Sequence, residues 1–354
     1  MNALTRTIAL VSIAVAACLS VVTSPSLASE PASTAPMVTT VDPTTGLPYE
    51  WQYDAADLGP ALAISPGSPS VVVGIVDSGA ADMPDLVGKV DSRWTVNPKG
   101  KIVHDHRGID FLGHGSAVAS LIAANGFSMA GFGGQAHVIV ARVPTLNGVA
   151  VATALLKLDS LGARIVNMSF GWSAPEPPVV LNAMHKLEQD GLLLVAAAGN
   201  STAPVAHPAA DLQPAGGGQS DGLAVGASDA GGNRAFFSNY GDNLSLLAPG
   251  GFTGPCSGVL VEAPLNVDFI DGCYPSWTGS GGASYAYVSG TSFAAPEVAG
   301  TAALIWSVRP DLQNWQVADI IKQSARRTSA GWTPEVGYGI LDAGAALRLA
   351  EATQ

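Results

Sequence analysis

The sequence predicts an α/β fold built on a mainly parallel β-sheet. Residues 71–76 and 192–198 are uninterrupted apolar runs, and residues 138–143 are apolar except for Arg142. Such runs are typical of parallel strands that are buried on both faces. Segments with helical composition alternate with these runs, as in folds that place helices on both faces of a sheet. The 354 residues are 47% hydrophobic and 12% charged, so the chain can bury a large core and is not predicted to be disordered.

The first residues have the pattern of an export signal, which we predict at residues 1–28. Arg6 precedes an uncharged stretch, residues 8–22, and Ser-Leu-Ala at residues 26–28 forms a small-residue cleavage site. The uncharged stretch is short for a membrane span, and no later segment is long and apolar enough to cross a bilayer. Cys18 follows Val-Ala-Ala and leaves a second interpretation open, a lipoprotein signal whose cysteine is acylated.

We expect a single domain at residues 49–354, preceded by a flexible extension. Residues 29–48 are rich in Ser, Thr, Pro and Ala, a composition typical of linkers. Residues 250–286 break the alternation of strands and helices, and we interpret them as an inserted surface segment. Cys256 and Cys273 lie in this segment and are expected to form a disulfide if the chain is exported; two free thiols are the alternative.

The other elements follow from the same apolar patterns. Strands are predicted at residues 71–76, 138–143, 163–169, 192–198 and 222–227, with a short one after Gly337. Helices are predicted at residues 116–124, 151–161, 179–190 and 312–324, with two more, one beginning near Ser292 and one ending near Glu351. The helix that begins near Ser292 has no polar face, so we expect it to be buried.

Four polar residues stand at predicted strand ends or helix starts, where α/β folds place functional side chains. Asp77 and Asn200 follow strands, His114 precedes a helix, and Ser292 opens the apolar helix, whose free N–H groups favour negative charge. Taken singly, each has a structural interpretation, a turn or helix cap for three of them and a core position for His114. Together they supply the carboxylate, base, nucleophile and oxyanion donor that peptide-bond hydrolysis requires.

Five motifs around these residues resemble the subtilisin-like serine peptidases, the subtilase family. The resemblance spans about residues 50–350, and its order of Asp, His and Ser is that of subtilisin. It implies a three-layer subtilisin-like fold with Ser292 as nucleophile, His114 as general base and Asp77 orienting the imidazole. The Asn200 side chain and the Ser292 backbone N–H would then form the oxyanion hole. The motifs are Val73-Gly-Ile-Val-Asp-Ser-Gly79, His114-Gly-Ser-Ala-Val-Ala119, Asn167-Met-Ser-Phe-Gly171, Ala197-Ala-Gly-Asn200 and Gly290-Thr-Ser-Phe-Ala-Ala-Pro296.

The resemblance also implies a cleft for protein or peptide substrates. Ser169, Phe170 and Gly171 resemble the family's edge segment, which pairs with an extended substrate. Ala198 and Gly199 are expected to line the same cleft.

No organic cofactor is implied, and no metal site is predicted. Family members often carry structural calcium, but no acidic loop in this chain identifies its ligands. His104 and His106 are two ligand-type side chains without a clear third, which favours a solvated loop over a metal site.

The formal net charge of −12 argues against nucleic acid as a partner, because phosphate binding needs a basic surface. The resemblance and the export signal together imply a secreted serine endopeptidase, which we expect to be monomeric, or one anchored through an acylated Cys18. The alternative function is a subtilase-fold scaffold or binding component of a surface or secretion assembly.

Overall fold

The computed structural model describes residues 50–251, 257–264, 285–326 and 331–353. All the predicted catalytic and substrate-binding residues lie in these ranges. The export signal, the flexible extension and the predicted Cys256–Cys273 disulfide lie outside them.

Within the described residues, eight strands form a central sheet. They are β1 (Val72–Asp77), β2 (Val90–Val96), β3 (Ile102–His104), β4 (His137–Arg142), β5 (Ile165–Met168), β6 (Leu193–Ala197), β7 (Gly222–Ser228) and β8 (Leu246–Pro249). Their order across the sheet is β3-β2-β4-β1-β5-β6-β7-β8. Every neighbouring pair is parallel except β2 and β3. The predicted mainly parallel sheet is therefore confirmed.

Strand β1 is where the connections change direction, since it pairs with β4 on one side and β5 on the other. Open α/β sheets bind ligands at the carboxyl ends of the strands beside such a switch point. Asp77 is the last residue of β1 and lies opposite Arg142 in the register with β4. The topology thus places the predicted carboxylate at the expected edge of the sheet.

Eight helices lie within the described part of the chain. They are α1 (Trp51–Ala55), α2 (Leu58–Ile64), α3 (His114–Ala123), α4 (Gly148–Ser160), α5 (Pro178–Gln189), α6 (Thr291–Val308), α7 (Asn314–Ser324) and α8 (Ala343–Ala352). Side chains of α4 and α5 form one hydrophobic core, while those of α3, α6, α7 and α8 belong to a second. Residues of β1 contribute to both, so the sheet lies between two helical layers, as predicted for a three-layer fold.

Helix α6 is the buried central helix that its sequence predicts. It packs against strands β5 to β8, and its side chains are almost all buried. Gly300 allows a close approach in its middle, because a Cβ there would lie 2.6 Å from the Cβ of Phe132. In the described residues, no helix is long and apolar enough to cross a membrane.

Two parts of the chain differ from the sequence interpretation. Val259–Glu262 (β9) and Tyr285–Val288 (β10) form a buried antiparallel pair, so the two ends of the segment at residues 250–286 belong to the core rather than to a surface insertion. The predicted short strand after Gly337 is wrong. Gly337 and Ile340 form no strand and make isolated bridges, each to β8 and to one other residue, Thr333 or Arg326.

Helix α1 is attached to the β9–β10 pair through buried side-chain hydrogen bonds. The indole Nε1 of Trp51 donates to the carbonyl of Gly258 at 2.8 Å, and the amide of Gln52 donates to the carbonyl of Leu260 at 3.0 Å. Both side chains are buried, so the chain is part of the folded core from its first described turn.

Two buried glutamates make the stability of this fold depend on pH. Glu297 in α6 is fully buried, and neither of its carboxyl oxygens has a hydrogen-bond partner among the described residues. Burial raises the pKa of Glu297 well above its usual value. Burial and then the charge of Asp85 raise the pKa of Glu262 to about 8. Because both carboxyls are neutral in the fold and ionise freely when unfolded, rising pH favours unfolding.

We expect the free energy of unfolding to fall between pH 5 and pH 8, and Glu297→Gln to flatten this decline. A carboxyl that stays neutral in the fold across that range lowers the free energy of unfolding by at most about 4 kcal/mol. Glutamine imitates the neutral carboxyl, so the variant should be the more stable protein at pH 8. Urea unfolding at both pH values measures this, in a Ser292→Ala background that prevents self-cleavage. The exposed Glu351→Gln is the control, and an equal effect of both changes would contradict the prediction.

Candidate active site

The structure brings Asp77 and His114 together at the carboxyl edge of the sheet. Asp77 is 7% exposed, and its Oδ1 lies 2.8 Å from Nδ1 of His114. The same oxygen accepts a hydrogen bond from the backbone N–H of Ser78 at 2.7 Å. The buried carboxylate is thus held by the main chain and fixes which ring nitrogen of His114 faces it.

The environment of His114 favours its protonated form. Burial acts to lower the pKa of His114, but the charge and hydrogen bond of Asp77, and then the charge of Asp110, raise the pKa above its usual value overall. An imidazole with this surrounding can accept a proton from a neighbouring hydroxyl and keep the resulting charge stabilised.

Asp110, which the sequence reasoning missed, holds the start of helix α3 against the loop after β1. Its Oδ1 accepts hydrogen bonds from the Ser78 hydroxyl at 2.8 Å and the Gly113 N–H at 2.9 Å. Its Oδ2 accepts from the N–H and the hydroxyl of Ser116, at 2.8 Å and 2.6 Å. An acidic residue just before a helix start is the signal that could have identified it. Asp110 therefore fixes the backbone that carries both Asp77 and His114.

Gly115 allows this loop and helix to touch. A Cβ at that position would lie 2.1 Å from the backbone oxygen of Gly79, closer than atoms can approach. The glycine after His114 is thus required by the packing between α3 and the loop that follows β1.

Ser292 lies in the first turn of α6, beside the end of β5. Its hydroxyl donates to the carbonyl of Ser169 at 3.2 Å, which is long for this kind of bond and therefore weak. In return, the Ser169 hydroxyl donates to the carbonyl of Ser292 at 2.7 Å. The ring of the next residue, Phe293, lies 5.3 Å from the ring of His114. The serine and the histidine thus occupy the same part of the molecule.

Asn200 is fixed in orientation by Thr291, a second residue that the sequence reasoning missed. Its Oδ1 accepts from the N–H and the hydroxyl of Thr291, both at 2.9 Å. Because a backbone N–H can only donate, the amide oxygen must face Thr291 and the Nδ2 group must point elsewhere. Asn200 is exposed, so its N–H donors can reach a bound molecule beside the start of α6. The position of Thr291 in the Gly-Thr-Ser turn, directly before Ser292, is the sequence signal that could have identified it.

The predicted substrate-binding residues lie around this site, but they differ in how far their backbone groups are already hydrogen-bonded within the protein. The backbone N–H of Ala198 donates to Val225, and its carbonyl accepts from Ala206, both at 2.8 Å. The N–H of Gly199 donates to the Thr291 hydroxyl at 3.0 Å. The main chain of these two residues is therefore already bonded within the protein, which suits a cleft wall better than a strand that pairs with substrate.

Phe170 is half-buried and Gly171 is exposed at the edge that follows β5. The ring of Phe170 packs edge-on against the ring of Trp172, with centroids 5.4 Å apart. Trp172 forms an isolated antiparallel bridge with His207. Ser169, Phe170 and Gly171 thus lie together at the carboxyl end of β5, where Ser169 contacts Ser292.

Metal-ligand side chains occur at two other places. His104 and His106 lie side by side, with ring nitrogens 3.0 Å apart. In the described ranges, the one group of three ligand-type side chains is Glu176, His207 and Asp211, which shares no residue with the Asp77–His114–Ser292 arrangement.

Comparisons with known proteins identify the family of this chain. The subtilase family model matches residues 68–339. Subtilisin BL of Lederbergia lenta is 32% identical over 286 residues, which cover 78% of this chain and 91% of that protein. An alkaline protease of Alkalihalobacillus alcalophilus is 32% identical over 286 residues, covering 78% of this chain and 64% of that protein.

Among solved structures, a protease from Pseudoalteromonas arctica matches with a TM-score of 0.72 and 28% identity, covering 88% of this chain and 99% of that one. The family and the subtilisin-like fold that the motifs predict are thereby confirmed. The chain belongs to the subtilase family and is a subtilisin-like serine protease.

Proposed function

We propose that this protease is an exported endopeptidase that cleaves peptide bonds through an acyl-enzyme on Ser292. The observation that carries the proposal is the 2.8 Å contact between Asp77 and His114, next to a serine at the start of a buried helix. The alternative roles considered for these residues, a cap or a core position, do not require a buried carboxylate to face the imidazole.

In the proposed reaction, His114 accepts a proton and then donates it in each of the two halves, acylation and deacylation. His114 Nε2 takes the proton of the Ser292 hydroxyl while its oxygen attacks the substrate carbonyl carbon. The tetrahedral intermediate collapses, the C–N bond breaks, and His114 gives its proton to the departing amine. Water then attacks the acyl carbon while His114 takes its proton. The ester bond to Ser292 breaks, His114 returns the proton to the Ser292 oxygen, and the acid is released. Asp77 keeps the imidazole oriented and stabilises its positive charge in both halves.

The oxyanion would be stabilised by Asn200 Nδ2 and the backbone N–H of Ser292. The geometry that supports this is the orientation of Asn200 by Thr291 and the position of the Ser292 N–H in the first turn of α6, directly after Thr291. The site is apolar behind these donors, since the residues after Ser292 are buried, and this strengthens their effect on a developing charge.

We expect Asn200→Leu to lower kcat by about 10²–10³-fold, the size reported for the corresponding donor of subtilisin itself. Thr291→Val keeps the backbone donor but loses both hydroxyl contacts, so we expect a loss of about tenfold in kcat with little change in KM. Thr291→Ser is the control and should restore most of the rate. A loss confined to KM would contradict the assignment.

The substrate is proposed to bind as an extended strand along Ser169, Phe170 and Gly171, with Ala198 and Gly199 as the facing wall. Protein or peptide substrates fit this mode. Export by the signal at residues 1–28, or anchoring through Cys18, and a monomeric state are part of the same proposal.

Labelling with a fluorophosphonate probe tests the proposal directly. The secreted protein should be labelled strongly, and Ser292→Ala and His114→Ala should both abolish the label. If folded wild type takes no label, a chain that begins at Tyr49 separates a covered site from an inactive one. Failure of that shortened chain would favour the scaffold function instead.

A further inference from the structure

A cluster of three ligand-type side chains lies outside the residues used above. The ligand atoms of Glu176, His207 and Asp211 all lie within 4.8 Å of one another. Nδ1 of His207 is 2.5 Å from Oδ2 of Asp211 and 3.3 Å from Oε2 of Glu176. One imidazole nitrogen thus faces two carboxylates that come from different segments of the chain.

The carboxyl group of Glu176 is buried and incompletely hydrogen-bonded. Its side chain is 2% exposed, and its Oε1 accepts no hydrogen bond from any residue that the structure describes. A buried carboxylate beside a second one is unfavourable without a compensating cation. The one imidazole of the cluster can supply at most one positive charge against two negative ones.

The geometry points to a binding site for a divalent transition metal of the Zn²⁺ type, held by Glu176, His207 and Asp211. Zinc at about 2.1 Å from tetrahedral ligands places them roughly 3.4 Å apart, so small side-chain rotations suffice. One imidazole nitrogen in the donor set favours Zn²⁺ over Ca²⁺, which takes six to eight oxygens. Asp211 is exposed, so water can complete the coordination and the metal can enter from solvent.

The surroundings of the cluster favour a cation. Glu188 and Asp221 line the same surface cavity as Asp211, so further acidic groups lie beside the cluster. Negative charge that is concentrated in one region raises the local concentration of cations.

A bound metal would join two segments that border the substrate cleft. Glu176 lies between β5 and α5, whereas His207 and Asp211 lie between β6 and β7. These segments already meet through the backbone, since the Trp172 N–H donates to the His207 carbonyl at 2.7 Å and the reverse bond is 3.0 Å. A metal would add a second connection there, so we expect it to raise the unfolding temperature.

Zinc titration by calorimetry tests the site in the full chain carrying Ser292→Ala, which makes the result independent of protease activity. His104→Gln and His106→Gln are added to remove the other histidine pair, and free thiols are alkylated. We expect one Zn²⁺ per chain and a higher unfolding temperature with Zn²⁺. Glu176→Gln, His207→Gln and Asp211→Asn should each weaken binding at least about tenfold.

His137→Asn is the matched control, because His137 lies 2.7 Å from Asp91 without a third ligand in its cluster, and it should leave Zn²⁺ affinity unchanged. Co²⁺ provides a spectroscopic readout, since its visible absorption should change with Glu176→Gln only if Glu176 is a ligand. Absence of Zn²⁺ binding, or binding that none of the three substitutions weakens, would overturn the site. Ca²⁺ binding that His207→Gln leaves intact would overturn the choice of metal.

Discussion

Ser292→Ala and His114→Ala are each expected to lower kcat for peptide hydrolysis by about 10⁶-fold, a size that comes from subtilisin itself and that this geometry does not fix. The serine supplies the attacking oxygen, and the histidine makes it reactive by removing its proton. Since neither group works without the other, the double variant should be no slower than either single one. Turnover of a chromogenic peptide gives kcat for the two single variants and the double variant. The preparations must be free of contaminating protease, because the expected rates are very low.

The same two substitutions at exposed positions outside the site provide the controls. Ser70→Ala and His185→Ala remove a surface serine and a surface histidine and should leave kcat unchanged. Retention of more than about 1% of the activity in Ser292→Ala would mean that another group is the nucleophile. Strict additivity of the two losses would mean that the serine and the histidine do not act as one unit.

The residues that motif and order identified are those whose function requires a fixed chemical type. Asp77, His114, Asn200 and Ser292 each lie within two residues of a glycine at a strand end or helix start, and this local pattern is visible in the sequence. The structure adds the distance that makes the first two a pair. Strong apolar runs likewise predicted the parallel strands, because burial on both faces leaves a visible pattern.

The residues that the sequence reasoning missed act through contacts between distant segments. Asp110 joins the loop after β1 to α3, and Thr291 joins α6 to the end of β6, and neither contact follows from local periodicity. The same reason hid the burial of β9 and β10, whose short apolar runs are covered by elements far away in the chain. Glu176 and Glu297 show the limit most clearly, because nothing in a local pattern says that a glutamate is buried.

Asp77→Asn is expected to lower kcat at neutral pH by about 10⁴-fold, the loss known for the equivalent change in trypsin. The buried carboxylate faces Nδ1 of His114, and its charge and hydrogen bond do most to raise the pKa of His114 against the effect of burial, with a smaller contribution from the charge of Asp110. Without that charge, burial dominates, so the pKa of His114 should fall below its usual value. An NMR titration of the His114 ring gives this pKa, and steady-state kinetics give the rate.

The sign of the pKa change separates an electrostatic role of Asp77 from a structural one. A variant that merely loosened the loop would expose His114 to water and bring its pKa back toward the ordinary value, not below it. Asp91→Asn is the matched control, because it removes a carboxylate from His137 in an equally close pair away from this site. A rate within tenfold of wild type for Asp77→Asn would mean that His114 does not depend on Asp77. In that case the 2.8 Å contact would only support the fold.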